Sequence, residues 1–313
     1  MHPYKLISIP SNAPFKLQPS PGKGWGVFAT QQIPQGSIIL IEYPLFTIPK
    51  PQENISEIDI WHAFCSLPPE QKQPFLCLRN NGKDIFETMG QAFAGNSFGP
   101  CSDRGLAGPG LFILHSRFNH SCAPNARIPR TNLEGGIASI ATRDIDAGEE
   151  ITISYEAGFE FRVRGERHER LRFACTCDAC GPAGSSSSSQ VASDMRRRLV
   201  RGLNYLIFGV DVNGQMQSSS ISAAPLIMDR ALKKSAENLA IPMSSRLIYL
   251  LFAVVLLERE GLLDKFALAG IEPGLDFVCI HFRLDGNSRI ASIAMMKKTW
   301  SERLSVALGL WAC

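Results

Sequence analysis

Over residues 22–48 the apolar positions come in short runs broken by turn residues, which predicts brief strands and not helices. Gly22-Lys23-Gly24-Trp25-Gly26 leads into Val27-Phe28-Ala29, and after Pro34-Gln35-Gly36 comes the β-branched run Ser37-Ile38-Ile39-Leu40-Ile41-Glu42. From Ser56 the period changes. Ile60, Trp61, Phe64 and Leu67 recur at helical spacing, and Pro68-Pro69-Glu70-Gln71 opens a second helix that carries Phe75, Leu76 and Leu78 and stops at Asn80-Asn81-Gly82. This predicts a helical insert, about residues 50–110, between strand-rich segments. Residues 84–110 show no clear period and become glycine-rich, with a mobile loop expected near 100–110. Strands are predicted again at 135–140 and at 151–155, the latter entered through the turn Asp146-Ala147-Gly148-Glu149-Glu150. Residues 160–173 alternate Arg and Glu around Val163, Leu171 and Phe173 and predict a partly helical stretch. The serine run at 184–190 predicts a flexible linker and a boundary. Beyond it, 191–208, 222–240, 244–260 and 288–309 predict helices that would pack as a small bundle.

Composition narrows the class. With 45% hydrophobic and 19% charged residues the chain can bury an ordinary core, and a net charge of +3 makes no case for nucleic-acid or membrane binding. A basic protein tail would therefore have to be recognised through a local acidic groove. Residues 1–10 lack the pattern of a signal peptide, and the longest apolar stretch, 247–257, is too short to span a bilayer and reads as a buried helix. Nine cysteines is an odd number in a chain without a secretion signal, so an intracellular setting is expected. Any tight cysteine cluster then reads as a metal site before a disulfide framework.

Such a cluster exists in Cys175-Thr176-Cys177-Asp178-Ala179-Cys180. Its thiols can all turn onto one ion; thiolates suit zinc, and a closed tetrahedral site needs a fourth ligand, for which Cys122 is the best candidate. The alternative is a set of inert buried thiols. Asn119-His120-Ser121-Cys122 offers a polar pocket wall, or simply a polar turn before Pro124-Asn125. A serine–histidine or cysteine–histidine hydrolase is a weak option, since adjacent loop residues rarely reach each other as nucleophile and base. Gly24-Trp25-Gly26 permits close approach of a ligand to backbone, but taken alone a plain β-turn explains it better, and it lacks the spacing of a nucleotide-phosphate loop. Tyr155, at the end of the strand 151–154, reads locally as a half-buried residue with its hydroxyl in water.

Taken in order, Gly24-Trp25-Gly26-Val27-Phe28-Ala29, Ser116-Arg117-Phe118-Asn119-His120-Ser121-Cys122-Ala123-Pro124-Asn125, Gly148-Glu149-Glu150-Ile151-Thr152-Ile153-Ser154-Tyr155 and the cysteine cluster resemble the SET domain of protein lysine methyltransferases with its post-SET zinc motif. The resemblance covers about residues 20–182. It is closest to fungal SET proteins and the SET-and-MYND group, although no MYND module is visible and the insert carries only isolated Cys65, Cys77 and Cys101.

The resemblance implies an α+β fold: a SET-type β-clip of small antiparallel sheets with a pseudoknot and helical insert (1–183, the zinc loop at 173–182), then the linker and a helical C-terminal region, 191–313. It implies S-adenosylmethionine-dependent methyl transfer to a lysine of a protein, a histone or another. Cofactor and lysine would enter from opposite faces. Gly24, Trp25, Gly26, Asn119, His120 and Phe173 would bind the cofactor, and Tyr155 would be catalytic. Cys122, Cys175, Cys177 and Cys180 would hold a structural zinc that fastens the post-SET loop over the pocket. Asn96-Ser97-Phe98 aligns with a cofactor-facing asparagine segment. A monomer in nucleus or cytoplasm, without nucleic-acid or membrane partners, is expected. Ser154 stands where many histone methyltransferases have aspartate, which points away from the best-studied histone enzymes. The other function class that the residues allow is a catalytically inactive SET scaffold that binds peptides.

Overall fold

The computed structural model describes residues 2–80, 82–99, 108–129, 135–181, 187–208, 243–265, 267–268 and 299. The chain divides into two compact units, Met1–Ile153 and Ser154–Cys313.

Among the described residues of the first unit the short apolar runs become ten strands in three small sheets. They are β1 (Phe15–Ser20), β2 (Gly24–Ala29), β3 (Ile38–Glu42), β4 (Phe46–Thr47), β5 (Ser97–Phe98), β6 (Gly110–Leu111), β7 (Asn119–His120), β8 (Ala126–Arg127), β9 (Ile137–Ala141) and β10 (Glu150–Ile153). The sheet orders are β1-β2-β10-β7, β3-β9-β8 and β4-β6-β5. Among the described residues every strand pair is antiparallel except β10 with β7, which run parallel. Val27, Phe118, Ile145, Ile151 and Leu111 are fully buried between these sheets.

The helical insert forms where the periodicity predicts it. Helix α1 (Glu57–Cys65) starts at a capping box, in which Ser56 Oγ accepts from the Asp59 N–H at 3.3 Å and Asp59 accepts from the Ser56 N–H at 3.0 Å. Helix α2 (Pro69–Leu76) has proline in its first turn, where no N–H partner is lost. A third helix, α3 (Met89–Ala94), lies in the stretch whose period was illegible. It is only six residues long, too short to display one, and is started by Thr88 Oγ1 accepting from the Gln91 N–H at 3.1 Å.

In the second unit, α4 (Arg164–Leu171) ends at Arg172, whose φ of 60° redirects the chain into the cysteine segment. Helix α5 (Ser188–Phe208) begins inside the serine run. Ser187 Oγ accepts from the Gln190 N–H at 3.3 Å and Gln190 Oε1 accepts from the Ser187 N–H at 3.0 Å, a capping pair that makes residues 188–190 helical where the composition predicts linker. Helix α6 (Met243–Arg259) packs on α5 and buries Leu250, Leu251, Val254 and Leu257. Buried Glu260 joins the two helices by accepting from Arg196 at 2.5 Å and Arg197 at 3.0 Å. The predicted helices at 222–240 and 288–309 (Thr299 apart), most of the predicted loop at 100–110 and residues 184–186 of the predicted linker lie outside the described residues. No helix among the described residues is long and apolar enough to cross a membrane.

One side chain ties the turn after β7 to β10. Buried Asn125 donates from Nδ2 to Glu149 Oε1 and to the Glu150 carbonyl, both at 2.9 Å, and its Oδ1 accepts from the Thr152 N–H at 2.8 Å. Asn125→Ala should cost about 2 kcal/mol in urea unfolding, because it leaves buried backbone groups of β10 without partners. Burial works against ionisation of Glu149, but hydrogen bonds from Arg143, Asn125 and the Asp146 backbone outweigh it and hold its carboxyl below the usual range. A lowered folded-state pKa gives stability that is present above the unfolded value and lost as pH falls through the folded one. The parent should therefore lose thermal stability as pH falls below 4.5, the ordinary value of this carboxyl, and Glu149→Gln should flatten that loss.

Candidate functional site

The motifs that are far apart in the chain meet on one sheet. Strand β10 lies between β2 and β7, with Ile151 opposite Val27 and Thr152 opposite Asn119. Gly24, Trp25 and Gly26 open β2, Asn119 and His120 make up β7, and β10 runs toward Tyr155. The Asn119 side chain joins all three strands: Nδ2 donates to the Trp25 carbonyl at 3.1 Å and to Glu150 Oε1 at 2.7 Å. The other Glu150 oxygen accepts from Lys23 Nζ at 3.0 Å. Gly26 makes this possible, since a Cβ there would lie 2.4 Å from Glu150 Oε1 and 2.8 Å from Asn119 Nδ2.

Trp25 is held by the N-terminal segment. The His2 ring stacks on it at 4.3 Å between centroids, and Tyr4 meets it edge-on at 5.9 Å. His2 Nε2 bonds the Gly82 carbonyl at 2.7 Å. The Tyr4 hydroxyl accepts from the Arg79 N–H at 3.1 Å and from the Arg117 guanidinium, which also donates to Asn96 Oδ1. Asn96 is buried and its Nδ2 donates to the Ala92 carbonyl at 2.7 Å, so both ends of its amide are engaged within the protein.

His120 is buried, with Nε2 3.3 Å from Cys122 Sγ. In the second unit Cys175, Cys177 and Cys180 are buried and their sulfurs lie within 4.8 Å of one another, and Cys122, in the first unit, is buried as well. Tetrahedral zinc with ~2.3 Å bonds to sulfur needs sulfurs about 3.8 Å apart, so this group is close to the required size and its donors suit the ion. In the second unit the Cys177 N–H points at Cys175 Sγ at 3.5 Å, and the fully buried Arg167 donates to Cys180 Sγ at 3.4 Å. Both donors favour thiolate over thiol. Tyr155 and Phe173 belong to the second unit and are about half exposed, at 48% and 47%.

Several residues that shape this site escaped the sequence analysis. Glu150 lies inside the Gly-Glu-Glu signature, but nothing local distinguishes it from Glu149. Lys23 sits beside the glycine motif as an ordinary surface lysine would. Arg167 is one of several arginines in an Arg/Glu-rich helix, and its position one turn before the end of α4 was the available signal.

The SET domain family matches residues 24–156. The chain is 29% identical over 186 residues to histone-lysine N-methyltransferase set5 of Schizosaccharomyces pombe, a match covering 59% of this chain and 55% of that protein. It is 42% identical over 80 residues to human protein-lysine N-trimethyltransferase SMYD5, covering 23% of this chain and 19% of the relative. It is 36% identical over 106 residues to mouse histone-lysine N-methyltransferase SMYD3, covering 31% and 23%. The chain thus spans about half the length of the first of these relatives and less of the others.

If the four thiols hold zinc, the protein purified without chelator should contain about one zinc per chain, the number that a closed four-thiolate site takes. Cys177→Ser should bring that content well below half, as measured by atomic absorption on the folded fraction. Unchanged zinc in that variant removes Cys177 from the site.

Proposed function

We propose that the protein, whose residues 24–156 match the SET domain family, transfers a methyl group from S-adenosylmethionine to a lysine side chain of a protein substrate. The observation that carries this reading is the convergence of Gly24-Trp25-Gly26, Asn119 and β10 on one sheet, where the Asn119 side chain bonds both β10 and, beyond it, β2. The residues present fit such a cofactor. Gly24 and Gly26 offer backbone without side chains, and Asn119 has spent both its N–H groups within the protein, leaving its oxygen to accept from a ligand. In this proposal Gly24, Trp25, Gly26, Asn119 and the main chain of His120 line the cofactor, and Phe173 stacks on its adenine.

The chemistry that the cofactor supplies when bound is an electrophilic methyl carbon on a positively charged sulfur. A lysine amine, with a pKa of ~10.4 in water, is largely protonated at neutral pH and must shed its proton to attack. An apolar channel and a nearby positive charge both favour the neutral amine, so no strong side-chain base is needed. The Tyr155 hydroxyl would orient the amine and turn its oxygen toward the methyl carbon. Alignment of this kind can lower a barrier by about 7–11 kcal/mol.

Zinc, held by Cys122, Cys175, Cys177 and Cys180, would be structural, because four thiolates leave no open coordination position. It would fix the cysteine segment that follows Phe173. The names of the relatives support a protein lysine as acceptor, with histone tails the first substrates to test.

Tyr155→Phe should keep the parent's melting temperature and its affinity for S-adenosylhomocysteine while turnover on a methyl-accepting peptide falls on the order of 100-fold, as for loss of one group that stabilises a transition state. Turnover equal to the parent's would take Tyr155 out of the mechanism. Cofactor binding by the parent without transfer to any histone or protein-lysate substrate would favour a peptide-binding scaffold.

A further inference from the structure

We propose that Glu150, its second oxygen held by Lys23, sets the polarity of the Asn119 amide, so that the cofactor site presents an oxygen acceptor to the ammonium of the cofactor's amino-acid end. This rests on the reading that Asn119 lines the cofactor site.

The two ends of an asparagine amide have nearly the same shape and differ in hydrogen bonding, so a half-turn about the last torsion exchanges them at little steric cost. Their neighbours decide which end faces where. Asn119 Nδ2 faces two groups that can only accept, the Trp25 carbonyl at 3.1 Å and Glu150 Oε1 at 2.7 Å. Glu150 can serve Asn119 in this way because a carboxylate accepts at both oxygens, and its second oxygen is occupied by Lys23 Nζ at 3.0 Å, a group that can only donate. Donor-only lysine, acceptor-only carboxylate and amide nitrogen form a chain with one allowed direction. The absent side chain at Gly26 keeps it compact, since a Cβ there would fall 2.4 Å from Glu150 Oε1. The amide oxygen is left over at the far end, and a ligand group that meets it must be a donor.

Glutamine in place of Glu150 breaks the direction without changing the shape. It has one acceptor oxygen for two donors, Lys23 and Asn119 Nδ2. Whichever of them loses faces an NH2 group. With Lys23 on the oxygen, the glutamine nitrogen turns the Asn119 oxygen inward and the ligand meets a donor. Replacing Lys23 by methionine as well releases the glutamine oxygen to Asn119 and restores the original direction.

The test compares two ligands by calorimetry on the full chain: S-adenosylhomocysteine, which carries the amino-acid end, and 5′-methylthioadenosine, which lacks it. In Glu150→Gln, affinity for S-adenosylhomocysteine should fall about ten-fold, the size of one charge-assisted hydrogen bond, while methylthioadenosine binding stays within about two-fold. The Lys23→Met/Glu150→Gln double variant should recover the preference to within about three-fold of the parent. Methylthioadenosine binding itself reports that each variant is folded at the site. Equal weakening of both ligands, or an unchanged preference in Glu150→Gln, overturns the proposal. A preference lost in the single variant and not regained in the double one removes Lys23 from it. A parent protein that binds neither ligand fails at the earlier step and takes the cofactor reading with it.

Discussion

The polar contact that joins the three strands of the site depends on the absence of a side chain at position 26. Glu150 and Asn119 occupy the volume a Cβ would claim, at 2.4 and 2.8 Å. A methyl group there would displace the Glu150 carboxylate and the Asn119 amide, and with them the bonds by which Asn119 links its own strand to β2 and β10. A glycine in a strand ordinarily weakens it. Here the loss is offset by hydrogen bonds to a carboxylate and a carbonyl, which are stronger and more directional than the packing they replace.

The loop that carries Asn119 is fastened on both sides by the same device, a side chain that satisfies backbone groups of another segment. Ahead of it, Glu42 accepts from the N–H groups of Ile113, Leu114 and His115, each at 2.8 Å, and from His115 Nδ1. Behind it, Asn125 performs the corresponding task for β10. With strands as short as two residues, ladder hydrogen bonds alone cannot define register, and these cross-segment bonds supply what the ladders lack.

The cysteine group poses an electrostatic problem. In the proposed zinc site, four thiolates around a divalent ion would carry a net charge of −2, which is costly to bury unless donors surround it. The Cys177 N–H and the guanidinium of Arg167 both point at sulfur, and Arg167, with no exposed surface, gains there a partner for a charge that is otherwise costly to bury. Asp194, 3.7 Å from Arg167, balances it on the other side.

The sequence by itself determined the classes of element and the chemical groups available. Short β-branched runs, the Ser56 and Pro69 helix starts and the spacing of Cys175, Cys177 and Cys180 are local properties, set by propensities and capping within a few residues, and they survive in the fold as read. Where local signals were weak, the fold was illegible: α3 is too short to show a period, the capping pair of α5 hides among serines, and the parallel pairing of β7 with β10 joins segments that no nearby residue links. Which polar group meets which was decided only by tertiary structure. Asn119 and Trp25 are 94 positions apart, and Glu150 and Lys23 are 127 apart. Nothing in the chain near any of them distinguishes an orienting carboxylate from a solvated one. The direction of a hydrogen bond depends on the partner that folding delivers, and that partner exists only once the strands are side by side.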